Sequence, residues 1–253
     1  MSAGFYRSGC GLVRSNGFYR RKVAFTLIEL LVVIAILGIL AGLLFPVLSK
    51  GKNRATMMVD VDNLKQQGLA MQLYVSDNSD LLPWPNWFGG DIAANGNPRP
   101  GWLYTLDPAA SGPARFKVQT GVFWKTLRDA RLYMCPLDYT NSPLFAERAQ
   151  QISSYVVNGA VCGYERMLPT CSKISSLSPE AVSYWETDEQ VPHDFNDGSS
   201  RPDEGVSARH LQGAMTARFE GSASYCKFDT WYDLAEALNK NDLWCYPNSP
   251  DGR

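Results

Sequence analysis

A chain of 253 residues, 45% hydrophobic and 19% charged, has the composition of a protein with a packed core and is long enough for one membrane helix and one folded domain. Its net charge is −1, but residues 1–24 hold five basic side chains and no acid, so the remainder carries a net charge near −6 (19 basic, 25 acidic). That balance argues against a nucleic-acid partner, which needs a basic footprint.

Residues 1–24 are basic and rich in Gly and Ser, ending in Arg20, Arg21 and Lys22. A run from Val23 to Leu48 follows, with one charge in it, Glu29. Leu30 to Leu48 is uncharged. As a helix it spans roughly 28 Å, close to the ~30 Å hydrocarbon core of a bilayer. The run is expected to cross a membrane once, with the basic cluster on the cytoplasmic side and everything after Leu48 beyond it. A carboxylate costs about 2.5–3.5 kcal/mol at the bilayer centre and less near its edge. Glu29 is therefore either a solvated boundary residue or a paired one. A cut between Ala24 and Phe25 would create an α-ammonium four residues before Glu29, and the two charges would then neutralise each other.

Residues 20–48 resemble the N-terminus of type IV pilin and type II secretion pseudopilin precursors. The shared pattern is a basic leader, a small residue before the cut, then Phe25-Thr26-Leu27-Ile28-Glu29 and an apolar helix. Ala24 stands where the family usually has Gly. The resemblance implies a leader peptide over 1–24, cleavage between Ala24 and Phe25 by a prepilin peptidase, methylation at Phe25, an assembly role for Glu29 and a transmembrane or assembly helix over 25–48. It also implies a head over 49–253 and a helix loosened at Pro46. The fold expected is α+β, a long N-terminal helix packed on a small antiparallel sheet. An ordinary secretory signal is not expected, because the proposed cut precedes the apolar run.

Lys50 to Ser76 is predicted to continue the helix, with Ala55, Met58, Val61, Leu64, Leu69 and Leu73 as its buried stripe. Pro46 removes a backbone donor, so a kink or a melted turn is expected there. Asp77-Asn78-Ser79-Asp80 ends the helix. Leu81 to Thr120, broken by four prolines, reads as an ordered irregular segment that buries Trp84, Trp87, Phe88 and Trp102. Val122 to Leu132 reads as a short helix. Ser153–Val157 and Ala181–Thr187 read as strands. Ala214 to Phe228 reads as a hairpin about a two-residue turn at Glu220-Gly221, which would place Met215, Ala217 and Phe219 on one face with Ser222, Ser224 and Cys226. Asp229 or Thr230 is expected to cap a last helix from Trp231 to about Leu238.

Three blocks in this region resemble a signature-bearing family of pilin-like proteins. They are Cys135-Pro136-Leu137-Asp138, Ser154-Tyr155-Val156-Val157-Asn158, and His210 followed after nine residues by Glu220-Gly221, where the family has Asp-Gly. His210 is expected to hydrogen-bond the hairpin or its turn.

Catalytic signatures are absent: there is no G-x-S-x-G, no H-E-x-x-H and no phosphate loop, and only two histidines are present. The chain is read as a non-enzyme. Loss of Cys10 with the leader leaves five cysteines. Cys162 and Cys171 close a short loop and are the favoured disulfide, worth about 2–3 kcal/mol in the chain-entropy model; Cys226 with Cys245 is the second choice. No C-x2-C pair exists, so no transition-metal site is assigned. Glu186 to Glu204 is acidic, a solvated loop or, by analogy with pseudopilins, a Ca²⁺ site.

The reading that follows is a structural pilin-like subunit of a type II secretion or type IV pilus-like filament. It would be held in the inner membrane by one span, with its head in the periplasm or in an extracellular filament. Its partners would be prepilin peptidase, other pilin-like subunits, the inner-membrane assembly platform and the membrane. The competing reading is a membrane-anchored extracytoplasmic binding protein or enzyme exported with a pilin-type N-terminus.

Overall fold

The computed structural model describes residues 26–166 and 168–253. Ala24 and Phe25 lie outside them. The chain divides into two compact units, the first ending at Ser49 and the second running from Lys50 to Arg253. Helix α1 (Leu27–Asp77) is continuous through Pro46, so a melted turn is not formed there. It ends where predicted. Ser79 (φ 54°) and Asp80 (φ 71°) turn left-handed immediately after it.

The second unit is built on a five-stranded sheet. Its strands are β1 (Tyr155–Asn158), β2 (Val182–Glu186), β3 (Ser199–Ser200), β4 (Gly213–Arg218) and β5 (Ala223–Lys227), in the order β3-β1-β2-β4-β5. β1–β2, β2–β4 and β4–β5 are antiparallel, while β3 joins β1 in parallel, which makes the sheet mixed rather than purely antiparallel. Together with the long helix this is an α+β, pilin-like layout.

Both faces of the sheet are covered. Tyr155, Val157, Tyr184, Met215 and Ala217 share one core with Leu64, Met71 and Val75 of α1 and with Trp102 and Tyr133. Val156, Val182, Trp185 and Ala214 share the other with Trp231 and Ala235 of α3 (Phe228–Glu236). Alternation along β2 feeds both cores, and the bulge between Val182 and Tyr184 lets Val182 and Trp185, three residues apart, share one of them. α3 starts earlier than predicted. Its N-cap is Lys227, which makes no side-chain cap bond, and Phe228 N–H donates to Gln212 O.

The hairpin departs from expectation by one residue. Ala217 pairs with Ala223 and Met215 with Tyr225, so Arg218 and Ser222 flank a three-residue turn. Within the turn Gly221 alone has positive φ (94°), whereas a two-residue type I′ turn needs positive φ at both central positions. Glu220 does not adopt it. The extra residue reverses the faces, and Ala223 rather than Ser222 and Ser224 packs beside Ala217.

The stripe predicted on α1 is also displaced. Met58, Leu69 and Leu73 are exposed, while Asp60, Asn63, Leu64, Gln67, Ala70, Met71 and Val75 are buried. Polar residues occupy a buried helical face because the rest of the second unit supplies their hydrogen-bond partners. Val122–Leu132 forms only a single turn, α2 (Trp124–Leu127), stopped by Arg128 in the left-handed region (φ 53°); a 3-10 turn at Ala130–Tyr133 follows. In the irregular segment Trp84 and Trp102 are buried, but Phe88 is 67% exposed. Polar side chains hold this segment. Asn86 Oδ1 accepts from Leu103 N–H and Tyr104 N–H, and Asp91 accepts from Trp84 Nε1, Asn86 Nδ2 and the Tyr104 hydroxyl.

Candidate functional site: the helix N-terminus and a buried polar cluster

Two places carry the chemistry singled out in the sequence. At the start of α1, Glu29 Oε2 accepts hydrogen bonds from Thr26 N–H (2.8 Å) and the Thr26 hydroxyl (2.7 Å), and Thr26 Oγ1 accepts from Glu29 N–H (3.2 Å). This is a capping box. It satisfies amide groups that the first turn would otherwise leave without partners. Its signal, T-x-x-E ahead of an apolar run, is legible in the sequence and separate from the charge of Glu29. After it, Leu27 to Leu48 present their side chains outward; Phe45 is 70% exposed. The stretch is long and apolar enough to cross a membrane, which supports membrane anchoring.

The second place is a cluster of buried polar side chains in the Lys50–Arg253 unit. The three sequence blocks converge on it from different elements. His210, in the loop before β4, brings Nε2 to 2.7 Å from Asp60 Oδ2 on α1, 3.4 Å from Glu186 Oε1 on β2 and 3.5 Å from Cys135 Sγ. Asp60 Oδ1 takes a hydrogen bond from the Tyr155 hydroxyl, Glu186 Oε2 takes one from Met215 N–H (2.7 Å), and Cys135 Sγ takes one from Leu137 N–H (3.3 Å). Asp138 receives both guanidinium nitrogens of Arg148 (2.7 and 2.9 Å) and the Ser154 hydroxyl (2.7 Å), and Arg209 sits 3.4 Å away. All of these side chains are nearly inaccessible to water.

Burial raises Asp60, and the nearby Glu186 raises it further, to about 6 despite its bonds to His210 and Tyr155. Burial works against the His210 imidazolium, but the hydrogen bond to Asp60 and the nearby Glu186 carboxylate outweigh it and push the group up to about 9. Burial would also raise Asp138, yet Arg148 and Arg209 hold its carboxyl below the usual range. Three carboxylates thus face three basic side chains, and removing one member would strand a buried charge.

The cluster also ties down α1. Asn63 Nδ2 donates to Met134 O (3.1 Å) and the Tyr155 hydroxyl (3.3 Å), and Gln67 Nε2 donates to Leu132 O (2.7 Å). His210 therefore bonds α1, not the hairpin turn as expected. Glu220 and Gly221 sit at the other end of β4. There, Gln72 Nε2 donates to Phe219 O (2.6 Å), and a Cβ on Gly68 would lie 3.1 Å from Gly221 Cα. The two ends of the His210–Gly221 block grip the helix at separate places. Asn158 of the middle block joins β1 to the C-terminal segment, donating to Val182 O and Leu243 O (both 2.9 Å).

Cys162 and Cys171 do not form the expected disulfide, nor do Cys226 and Cys245: all five described cysteines are free thiols. Cys162 Sγ is turned instead toward the Gly159 and Tyr164 carbonyls. The acidic loop is not uniformly solvated. Glu186 belongs to the cluster, Asp197 is buried and accepts Ser199 N–H (2.9 Å) and Phe88 N–H, and Asp203 pairs with Arg201 at 2.8 Å. Glu186 and Glu189 share Arg209, at 3.6 and 3.7 Å.

Residues 20–45 match the family model described as the prokaryotic N-terminal methylation motif. The chain thus carries a pilin-type N-terminus, the mark of a prepilin-peptidase substrate. Neither a curated protein nor a solved structure matches the chain.

Proposed function

We propose that this chain is a structural, pilin-like subunit that is cut between Ala24 and Phe25, methylated at Phe25 and assembled with other pilin-like subunits into a filament of the type II secretion or type IV pilus class. The observation that carries the reading is the methylation motif over 20–45, continued by a capped and outward-facing apolar helix. The helix anchors the subunit in the inner membrane, and the Lys50–Arg253 unit stands on the periplasmic side, opposite the basic cluster. Glu29 acts in assembly through the α-ammonium that cleavage creates at Phe25. The exposed Met58, Leu69 and Leu73 on α1 support packing against neighbouring subunits. The role is read as structural rather than catalytic; the near-complete burial of the titratable side chains that converge in the head supports this.

Intact-mass and N-terminal sequencing of the protein from membranes is the test. A methylated Phe25 is expected when a prepilin peptidase is present, and the uncut precursor when it is absent. A mature chain that keeps Met1 alongside an active peptidase would overturn the reading and favour an uncleaved, membrane-anchored binding protein or enzyme. Crosslinking of tagged chains in membranes tests assembly: Glu29→Gln should insert normally yet lose self-association.

A further inference from the structure

We propose that Asp60, Cys135, Glu186 and His210 form a buried binding site for a divalent transition-metal ion of the zinc type, which locks α1 to the sheet. Each residue comes from a different segment, and each presents one ligand atom; the four atoms lie within 4.8 Å of one another. A tetrahedral zinc site with bonds of about 2.0–2.3 Å separates its ligand atoms by roughly 3.3–3.8 Å. His210 Nε2 already stands 3.4 Å from Glu186 Oε1 and 3.5 Å from Cys135 Sγ. The Asp60–His210 distance of 2.7 Å is that of a hydrogen bond, and it must open by several tenths of an ångström to admit the ion.

Three of the four ligands are held by other contacts, while His210 Nδ1 is buried with no hydrogen-bond partner among the described residues. Asp60 Oδ1 is held by Tyr155, Glu186 Oε2 by Met215 N–H and Cys135 Sγ by Leu137 N–H. Glu186 Oε1, on a fully buried side chain, has no hydrogen-bond partner among the described residues. Such outer contacts fix the orientation of metal ligands.

The donor set is one thiol, one imidazole and two carboxylates. Thiolate and imidazole favour zinc over the hard cations calcium and magnesium. Binding releases the Cys135 thiol proton to water, and His210 must offer Nε2 as a lone pair with its proton on Nδ1. A dication held by one thiolate and two carboxylates leaves a charge of −1. Arg209, 3.6 Å from Glu186 Oε1, offsets part of it while also facing Asp138 and Glu189. A surface cavity of about 530 Å³, lined by Val59, Asn63, Met134, Cys135 and Pro136, borders the cluster at Cys135 and gives an ion a side from which to approach.

The test uses the full chain in detergent, stripped with a chelator and reloaded with cobalt(II) or zinc(II) alone. About one equivalent per chain is expected, and the cobalt form should show a sulfur-to-metal charge-transfer band with the visible bands of a tetrahedral ion. Cys135→Ser should abolish the sulfur band and weaken cobalt binding about tenfold or more. Should that variant fail to fold by circular dichroism, the wild-type chain decides alone: the sulfur band with one equivalent supports the site. A folded wild-type chain that takes up neither ion overturns it, leaving His210 as the counter-ion of the two carboxylates. A folded Cys135→Ser chain that keeps the charge-transfer band overturns it too.

Discussion

At the scale of single residues, the interior holds more polar chemistry than its apolar composition implies, and several of its buried carboxylates are held by specific partners. Asp91 shows what this costs. Burial raises its carboxyl above the ordinary value of 3.8, despite hydrogen bonds from Tyr104, Asn86 and Trp84. A group raised in the folded state contributes stability that is complete below its unfolded value and is lost as pH rises through the folded one. Asp91 should therefore make the Lys50–Arg253 unit less stable as pH climbs above about 4. Asp91→Asn keeps the shape; its amide can donate to the Tyr104 oxygen while its carbonyl still accepts from Trp84 and Asn86. Denaturation of the two proteins at several pH values should show the variant losing less stability between pH 4 and 7. Parallel curves would mean that Asp91 remains ionised throughout.

Arg148 buries its guanidinium against Asp138 and holds it 3.6 Å over the Phe195 ring. Arg148→Met removes one partner of a buried pair and should cost about 3–5 kcal/mol. The double variant Arg148→Met with Asp138→Leu should recover part of that loss, because it removes the stranded carboxylate as well. Equilibrium unfolding of the single and double variants measures both. A double variant less stable than the single would show that the Ser154 bond to Asp138 matters more than the ion pair.

At the scale of elements, sequence periodicity located the helix, β1, β2 and the hairpin, because each has a run whose apolar or β-branched pattern matches its geometry. It did not locate the buried face of α1. Asp60, Asn63 and Gln67 look solvent-facing to any hydropathy count, and only the carbonyls of Leu132 and Met134 and the His210 ring, far away in sequence, make their burial tolerable. Asn63→Leu should therefore destabilise by about 1–3 kcal/mol despite its greater hydrophobicity, since it leaves buried carbonyl and hydroxyl groups unpaired. Urea unfolding of the chain from Lys50 would register it, and an unchanged midpoint would sink the idea of a polar face.

The hairpin register was illegible for a local reason: whether Glu220-Gly221 makes a two- or three-residue turn depends on the φ of Glu220, which the residue type disfavours but does not forbid. Gly221→Val forces a β-branched residue into φ 94° and should cost more than the roughly 1–2 kcal/mol of an ordinary left-handed residue. β3, two residues long, has no periodicity to find. The convergence of the three sequence blocks was equally hidden, since Cys135, Ser154 and His210 are brought together only by strand order.

At the scale of the whole molecule, the division after Ser49 separates an apolar, outward-facing stretch from a unit with its own two-sided core. A chain that begins at Lys50 should fold, stay in solution and sediment as a monomer, with the thermal transition of the same region in the full protein. Recovery of that shortened chain in the membrane fraction would show that residues before Lys50 are not the anchor.

The row of polar side chains along α1 has a mechanical meaning. Asp60, Asn63, Gln67 and Gln72 attach to the rest of the second unit over twelve residues, about 18 Å of helix. A pull along the helix axis loads these attachments in shear, all at once, whereas a pull across it would open them one after another like a zipper. Drawn lengthwise by its N-terminus, the helix should resist extraction far better than one seated on an apolar stripe, which can slide. Stretching single molecules from residue 50 against the C-terminus, with Asn63→Leu as the weakened control, would read that resistance directly as a rupture force.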